Sequence, residues 1–341
     1  MPSTVIRLEE PGRFTSRVES LSAPRQGEAR VRIRRIGVCG TDIHAFHGRQ
    51  PFFEYPRILG HELAAEVIEV HGDSSWLPGD LVAVEPYLYD PDSPASRKGK
   101  SNCCEALQVL GVHCDGGMRK ELNIPVEKLH RSGGATADQL ALVEMLGIGC
   151  HAVNRSSAQS RDRVLLLGAG PIGLSVLSFL QQQTDSIVVA DLDEARLSFC
   201  REAFGIEETV TLKPDGSATE RLSGHFGEER PDLIFDATGN PQSMHSTFEL
   251  IAHGGRIVFV GLFQGEVSFP DPMFHRKEIS LLASRNATSK EFGEVIAAME
   301  SGAIDTSPWI THRFALDQVL QSFPKTIADR GLRKAVIEVD D

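Results

Sequence analysis

Apolar and polar positions alternate with period two early in the chain. Ala29, Val31 and Ile33 interleave with Arg30, Arg32 and Arg34, the pattern of a half-buried strand. Segments 61–70 and 81–86 predict further strands, separated by the turn Pro78-Gly79-Asp80. The polar stretch 91–101, with Pro, Ser, Lys and Gly, predicts an exposed loop, and over 136–150 the apolar spacing becomes helical. The rhythm changes near Ser160. Apolar runs at 163–167, 187–190, 233–236 and 256–260 predict strands, and helices are predicted over 172–183, from about Glu194, and around 243–251. Strands alternating with helices at this spacing define an α/β unit with a parallel, doubly wound sheet. Near Ser289 the pattern returns to helices and one last strand, 334–339.

Composition narrows the function classes. A chain of 341 residues is longer than one hydrophobic core usually serves, so two domains are expected. The formal net charge of -12 argues against a nucleic-acid partner, which needs a basic surface. It does not exclude small acidic substrates, because a few local cations suffice to bind a carboxylate. Residues 1–10 lack an apolar core of signal-peptide length and no later stretch approaches a membrane span, so no membrane partner is expected. Six cysteines in so long a chain do not form a disulfide scaffold, which points to a reducing cytoplasm.

Gly168-Ala169-Gly170-Pro171-Ile172-Gly173 follows a predicted strand and opens a predicted helix. Glycines there permit a tight turn and close backbone approach, so that the helix N-terminus can hold a pyrophosphate. A lone GxGxxG is weak evidence, but a second strand ending in Asp191 supplies the acid expected on the adenine-ribose hydroxyls. An acid at 191 repels a 2′-phosphate, which favours NAD over NADP. Asp193, two residues on, is the alternative acid, with Asp191 then a solvated helix-start residue.

Gly37-Val38-Cys39-Gly40-Thr41-Asp42-Ile43-His44 and Gly60-His61-Glu62 offer a soft thiolate, an imidazole and a carboxylate. Cys39 and His61 are too far apart in sequence for a local zinc knuckle, and taken alone each fits an ordinary buried residue. Thr41 and Asp42 read alone as helix N-caps, Glu62 as a solvated charge and His44 as a surface histidine. Together with Gly79-Asp80, the glycine turn and Asp236-Ala237-Thr238-Gly239, these motifs resemble the medium-chain zinc-dependent alcohol and polyol dehydrogenases over nearly the whole chain. The runs 40–62 and 258–288 are most similar to the sugar-acid dehydrogenases of that family.

That resemblance implies a GroES-like, β-rich catalytic domain over 1–149 and 288–341 and a Rossmann NAD-binding domain over 150–287, with the active site in the cleft between them. It implies one catalytic Zn2+ held by Cys39, His61 and Glu144, the last directly or through water, with Glu62 an acid beside the metal that can exchange with water as a ligand. Such a donor set with one open position suits catalytic zinc. Thr41 is implied as the hydroxyl beside the reacting alcohol and His44 as the outer base. Thr238, Gly261 and Arg285 are assigned to the cofactor with Gly168, Gly170, Pro171, Ile172, Gly173 and Asp191. The implied substrate is a secondary alcohol on an L-galactonate-like aldonate, or alternatively an uncharged polyol such as sorbitol or galactitol. A noncatalytic NAD-binding regulatory protein is the reading from another class. Relatives of this kind are homo-oligomers, dimers or tetramers.

The chain departs from the family at a second, structural zinc site, where four cysteines are usual. The matching positions are Asp90, Ser93, Ser96 and Cys104, so that metal is expected to be absent. Cys103, Cys104, Cys114 and His113 lie close in sequence and are the alternative set for some other ion. A sugar acid also needs a cation for its carboxylate, and Arg285, Arg49, Arg57, His275 and Lys277 are the candidates. Phe52 and Phe53 are candidate walls of the pocket.

Overall fold

The computed structural model describes residues 2–50, 53–72 and 74–340; Phe52 lies outside the described residues. The chain forms two compact units, Met1–Met145 with Ala287–Asp341, and Leu146–Asn286. The first division lies inside the helix Val143–Ser156, a continuous element whose apolar spacing gives no sign of where one unit ends.

The first unit is built on a seven-stranded sheet. Its path runs Ile310–Ala315, Lys334–Glu338, Glu28–Gly37, Glu62–His71, Leu81–Val84 and Leu129–Arg131, and Glu121–Pro125 also pairs with Glu28–Gly37. Alternation in Glu28–Gly37 sends Ala29, Val31 and Ile33 into a core with Leu63, Val67 and Val82. Two register shifts in its pairing with Glu62–His71 end with Gly37 opposite Glu62, so the segments leaving these strand ends, Val38–Cys39 and Gly60–His61, run side by side. The terminal strand joins this edge antiparallel, Val336 opposite Gly37, and Val38 donates its N–H to the Ala335 carbonyl at 3.0 Å.

The second unit is a six-stranded parallel sheet. In the unit's own chain order its strands lie third, second, first, fourth, fifth, sixth: Glu208–Thr211, Ile187–Asp191, Val164–Leu167, Leu233–Asp236, Arg256–Phe259 and Ser280–Ala283. This is the doubly wound order whose switch point lies between the first and fourth strands. Val164–Leu167 and Ile187–Asp191 are buried throughout, as expected of strands covered on both faces. The periodicity misses the edge strands Glu208–Thr211 and Ser280–Ala283, which are partly exposed and too short for a clear apolar run. It also misses the N-terminal hairpin Pro2–Glu10 with Arg13–Ser20, and Ile310–Ala315.

Candidate active site

Cys39 ends the extended segment after Gly37 and caps the short helix Gly40–Phe46. The caps anticipated at Thr41 and Asp42 are corrected: both fall inside the first turn. Asp42 accepts the Cys39 backbone N–H at 2.9 Å through Oδ2, while its other oxygen lies 3.9 Å from His61 Nδ1. Asp42, His61 and Glu62 are all buried. Among the described residues, the Cys, His and carboxylate ligand atoms that lie within 4.8 Å of one another are those of Cys39, His61 and Glu62.

This group fits a zinc ion on three counts. The donors are a sulfur, an imidazole and a carboxylate, the set zinc takes. His61 Nδ1, Asp42 Oδ1 and Glu62 Oε1 have no hydrogen-bond partner among the described residues, although buried polar atoms normally find one. Burial would depress the His61 pKa, yet the Cys39 sulfur and then Asp42 and Glu144 outweigh it and hold it well above 6.5. A pocket that favours positive charge so strongly suits a dication.

A cation stands beside Glu62. Lys334, buried at the start of the terminal strand, forms an ion pair with Glu62 Oε2 without hydrogen-bond alignment and donates to the Val38 carbonyl at 3.0 Å. Sequence reasoning did not find Lys334. Its one signal was a lysine opening an otherwise apolar strand, which is also what a solvated strand end looks like.

Glu144 enters from the first turn of Val143–Ser156 and is 6% exposed. Its Oε1 accepts the Tyr87 hydroxyl at 2.5 Å. Burial raises the Glu144 carboxyl above its ordinary pKa against the opposing pull of His61, and burial followed by Glu144 raises the Tyr87 phenol well above 10. Thr41 is half-buried on the helix that Cys39 caps, and His44, one turn on, reaches solvent. Desolvation of the part of its ring that is covered, followed by Arg49 and His47, lowers the His44 pKa.

The other candidates separate. Phe53 packs against the core of the first unit and meets Tyr55 edge-on. Arg57 faces Asp115, Nη1 to Oδ1 3.9 Å. Lys277 is corrected from a substrate cation to a helix cap, because its ammonium donates to the carbonyls of Phe248, Glu249 and Ile251 at 2.8–3.1 Å. Arg49, Arg285 and His275 are exposed.

The segment read as an exposed loop is more ordered than its polarity suggests, folding into the 3-10 turns Ser96–Lys98 and Ser101–Cys103. The four positions of the second zinc site converge within it. Ser93 Oγ donates to Ser96 Oγ at 2.9 Å and accepts the Ser96 N–H at 3.1 Å, while Cys104 Sγ lies 3.8 Å from the Asp90 carbonyl. His113 Nδ1 accepts the Val109 N–H at 3.0 Å. Among the described residues, no metal-holding group contains Cys103, Cys104, Cys114 or His113.

In the second unit Gly170 caps the helix Pro171–Leu180, with Pro171 in its first position and Ile172 following. Gly168 has φ +94°, and a Cβ on Gly173 would lie 1.8 Å from the Gly168 carbonyl oxygen, so both positions require glycine. Asp191 ends the neighbouring strand. Its Oδ2 accepts the Ala169 N–H at 2.7 Å and its Oδ1 the Asp193 N–H at 2.8 Å, binding the acid to the glycine turn. Asp193 is the N-cap of Glu194–Phe204, its Oδ1 accepting the Ala195 N–H at 2.8 Å. Thr238 and Gly261 follow the fourth and fifth strands: Thr238 Oγ1 donates to Asp236 Oδ1 at 2.6 Å, and a Cβ on Gly261 would lie 2.2 Å from the Gly239 nitrogen. Arg285 follows the edge strand Ser280–Ala283.

A sheet with this strand order and glycine turn, together with a separate unit carrying a thiolate–imidazole–carboxylate group, defines a metal-dependent, nicotinamide-linked oxidoreductase. The chain belongs to the zinc-dependent medium-chain alcohol dehydrogenases. Residues 25–133 match the alcohol dehydrogenase GroES-like domain and residues 171–301 the zinc-binding dehydrogenase domain. The chain is 38% identical to L-galactonate-5-dehydrogenase of Escherichia coli (strain K12) over 98% of each chain. It is 32% identical to L-arabinitol 4-dehydrogenase of Hypocrea jecorina over 94% of this chain and 88% of the relative. The crystal structure of an alcohol dehydrogenase (rspB) from E. coli CFT073, in complex with NADH, superposes with a TM-score of 0.91 at 28% identity over 99% of both chains.

Proposed function

We propose that this enzyme oxidises a secondary alcohol on a sugar acid, an L-galactonate-like aldonate, and passes the hydride to NAD. The observation that carries the reading is the convergence of Cys39, His61 and Glu62 within 4.8 Å, on a chain 38% identical to L-galactonate-5-dehydrogenase. Cys39, His61 and Glu144 are the proposed zinc ligands, Glu144 directly or through water. Bound zinc supplies the Lewis acidity that makes deprotonation of a hydroxyl accessible near neutral pH.

The chain's own residues do the rest. Asp42 fixes the helix turn that presents Cys39, and its other oxygen lies 3.9 Å from His61 Nδ1, which places a negative charge beside the imidazole. Thr41 carries a hydroxyl that both donates and accepts, so it can take a proton from the alcohol and hand it on. His44, whose pKa desolvation lowers, accepts that proton at the surface. Glu62 is the acid beside the metal. Gly168, Gly170, Pro171, Ile172 and Gly173 present the helix N-terminus to the pyrophosphate, Asp191 selects the unphosphorylated ribose, and Thr238, Gly261 and Arg285 complete the cofactor side. No disulfide joins the six cysteines, which suits a cytoplasmic enzyme. No described helix is long and apolar enough to cross a membrane. Family resemblance supports a homo-oligomer, dimer or tetramer.

A screen of NAD reduction over aldonates, uronates, polyols and simple alcohols tests this reading. L-galactonate or a stereoisomer is expected to give the highest kcat/KM. The L-arabinitol 4-dehydrogenase relative supports the polyol alternative, which wins if sorbitol, galactitol or arabinitol is turned over far better than every aldonate. Cys39→Ser is expected to lose zinc and nearly all activity while still binding NAD. A fully active, metal-free Cys39→Ser enzyme refutes the mechanism.

A further inference from the structure

Glu144 carries two oxygens on a torsion with broad rotational freedom, and a metal ligand or a holder of a ligated water needs one of them fixed. Tyr87 supplies that constraint. It sits in the short strand Tyr87–Leu88, which pairs with Gln108–Val109, is 1% exposed, and packs edge-on against Phe292 with ring centroids 6.1 Å apart. A buried ring packed against Phe292 has little freedom to swing, so the bond from its hydroxyl to Oε1 sets the orientation of the carboxylate.

Core packing alone gives no reason for this pairing. A buried tyrosine is satisfied cheaply by a backbone carbonyl, whereas seating a carboxylate beside it removes a charge from water at considerable cost. We propose that Tyr87 is a positioning residue for the metal site: by holding Oε1 of Glu144 it leaves Oε2 as the oxygen available to the ion or its water. This rests on the reading that Glu144 belongs to the zinc site.

The test is zinc affinity of the full chain by chelator competition, with no activity measurement. Tyr87→Phe keeps the ring and its contact with Phe292 and removes only the hydroxyl. It is expected to weaken zinc binding by about tenfold to a hundredfold, the usual effect of removing a group that orients a metal ligand, and to shift the visible absorption of the cobalt-substituted protein. In a Glu144→Ala background the same change is expected to add less than twofold, because Tyr87 acts through Glu144. A Tyr87→Phe zinc dissociation constant within twofold of the parent overturns the proposal when Glu144→Ala itself weakens binding. If Glu144→Ala leaves zinc affinity unchanged, the ligand reading of Glu144 falls and this proposal with it. Should Tyr87→Phe not fold, Tyr87→Phe/Glu144→Gln is compared with Glu144→Gln alone. The proposal expects equal zinc affinity, and a difference above twofold overturns it.

Discussion

Lys334 and Glu62 come from distant parts of the chain and meet as a buried ion pair above Gly37. A Cβ on Gly37 would lie 2.0 Å from Glu62 Oε2, so the missing side chain makes the room in which the carboxylate sits. Both charged groups are almost wholly buried, and removing one leaves the other without compensation. With metal chelated, Lys334→Met is expected to cost about 3–5 kcal/mol, and adding Glu62→Gln should recover a large part of it. Denaturant unfolding measures both. Wild-type stability in Lys334→Met would show that Glu62 does not depend on this cation.

Asp191 should set cofactor choice. Its carboxylate is already bound to the Ala169 and Asp193 N–H groups, which fixes its place at the glycine turn, and Arg196 Nη1 stands 3.8 Å away. A 2′-phosphate would meet the fixed acid, so kcat/KM is expected to favour NAD by roughly tenfold or more. Asp191→Ser should shrink that preference by removing the repulsion and leaving Arg196 in place. A higher kcat/KM with NADP in the parent enzyme would refute the assignment.

Each chain is expected to bind one zinc. At the second site of the family, Ser93, Ser96, Cys104 and Asp90 still converge, but hydrogen bonds join them. One thiol and neutral hydroxyls cannot offset the cost of dehydrating the ion. Metal analysis of protein purified without added zinc should approach one equivalent, unchanged by Cys104→Ala. A second tightly held zinc that disappears in Cys104→Ala would overturn this.

Glu85 makes the first unit sensitive to acid. It is buried and accepts from Lys128 Nζ at 3.0 Å and Ser289 Oγ at 2.6 Å, and lies 3.0 Å from His130 Nε2. Burial raises its pKa, but His130, Lys128 and Ser289 together hold it below the ordinary 4.5. A folded pKa below the unfolded one contributes stability that is present above about pH 4.5 and lost as pH falls through the folded value. Glu85→Gln is therefore expected to destabilise by about 3–5 kcal/mol at pH 7, with the deficit narrowing below pH 4.5. A deficit independent of pH would show that the carboxylate charge is not what the network uses.

The sequence by itself determined the strands at 164–167, 187–191, 233–236 and 256–259 and the glycine turn. Period-two and continuous apolar runs reflect burial that each segment carries in its own residues, and the glycines at 168 and 173 reflect local backbone geometry. It also named Cys39, His61, Glu62 and Glu144, though their grouping came from resemblance and not from spacing. Tertiary structure decided how these residues meet. Two register shifts bring Gly37 opposite Glu62, and the terminal strand lays Lys334 alongside; neither event leaves a periodic trace. The same holds for Tyr87 on Glu144 and for Lys277, whose charge is spent on helix carbonyls. A charged or phenolic side chain reads alike in sequence whether it faces water or a buried partner, because its partner is chosen by packing between segments far apart in the chain.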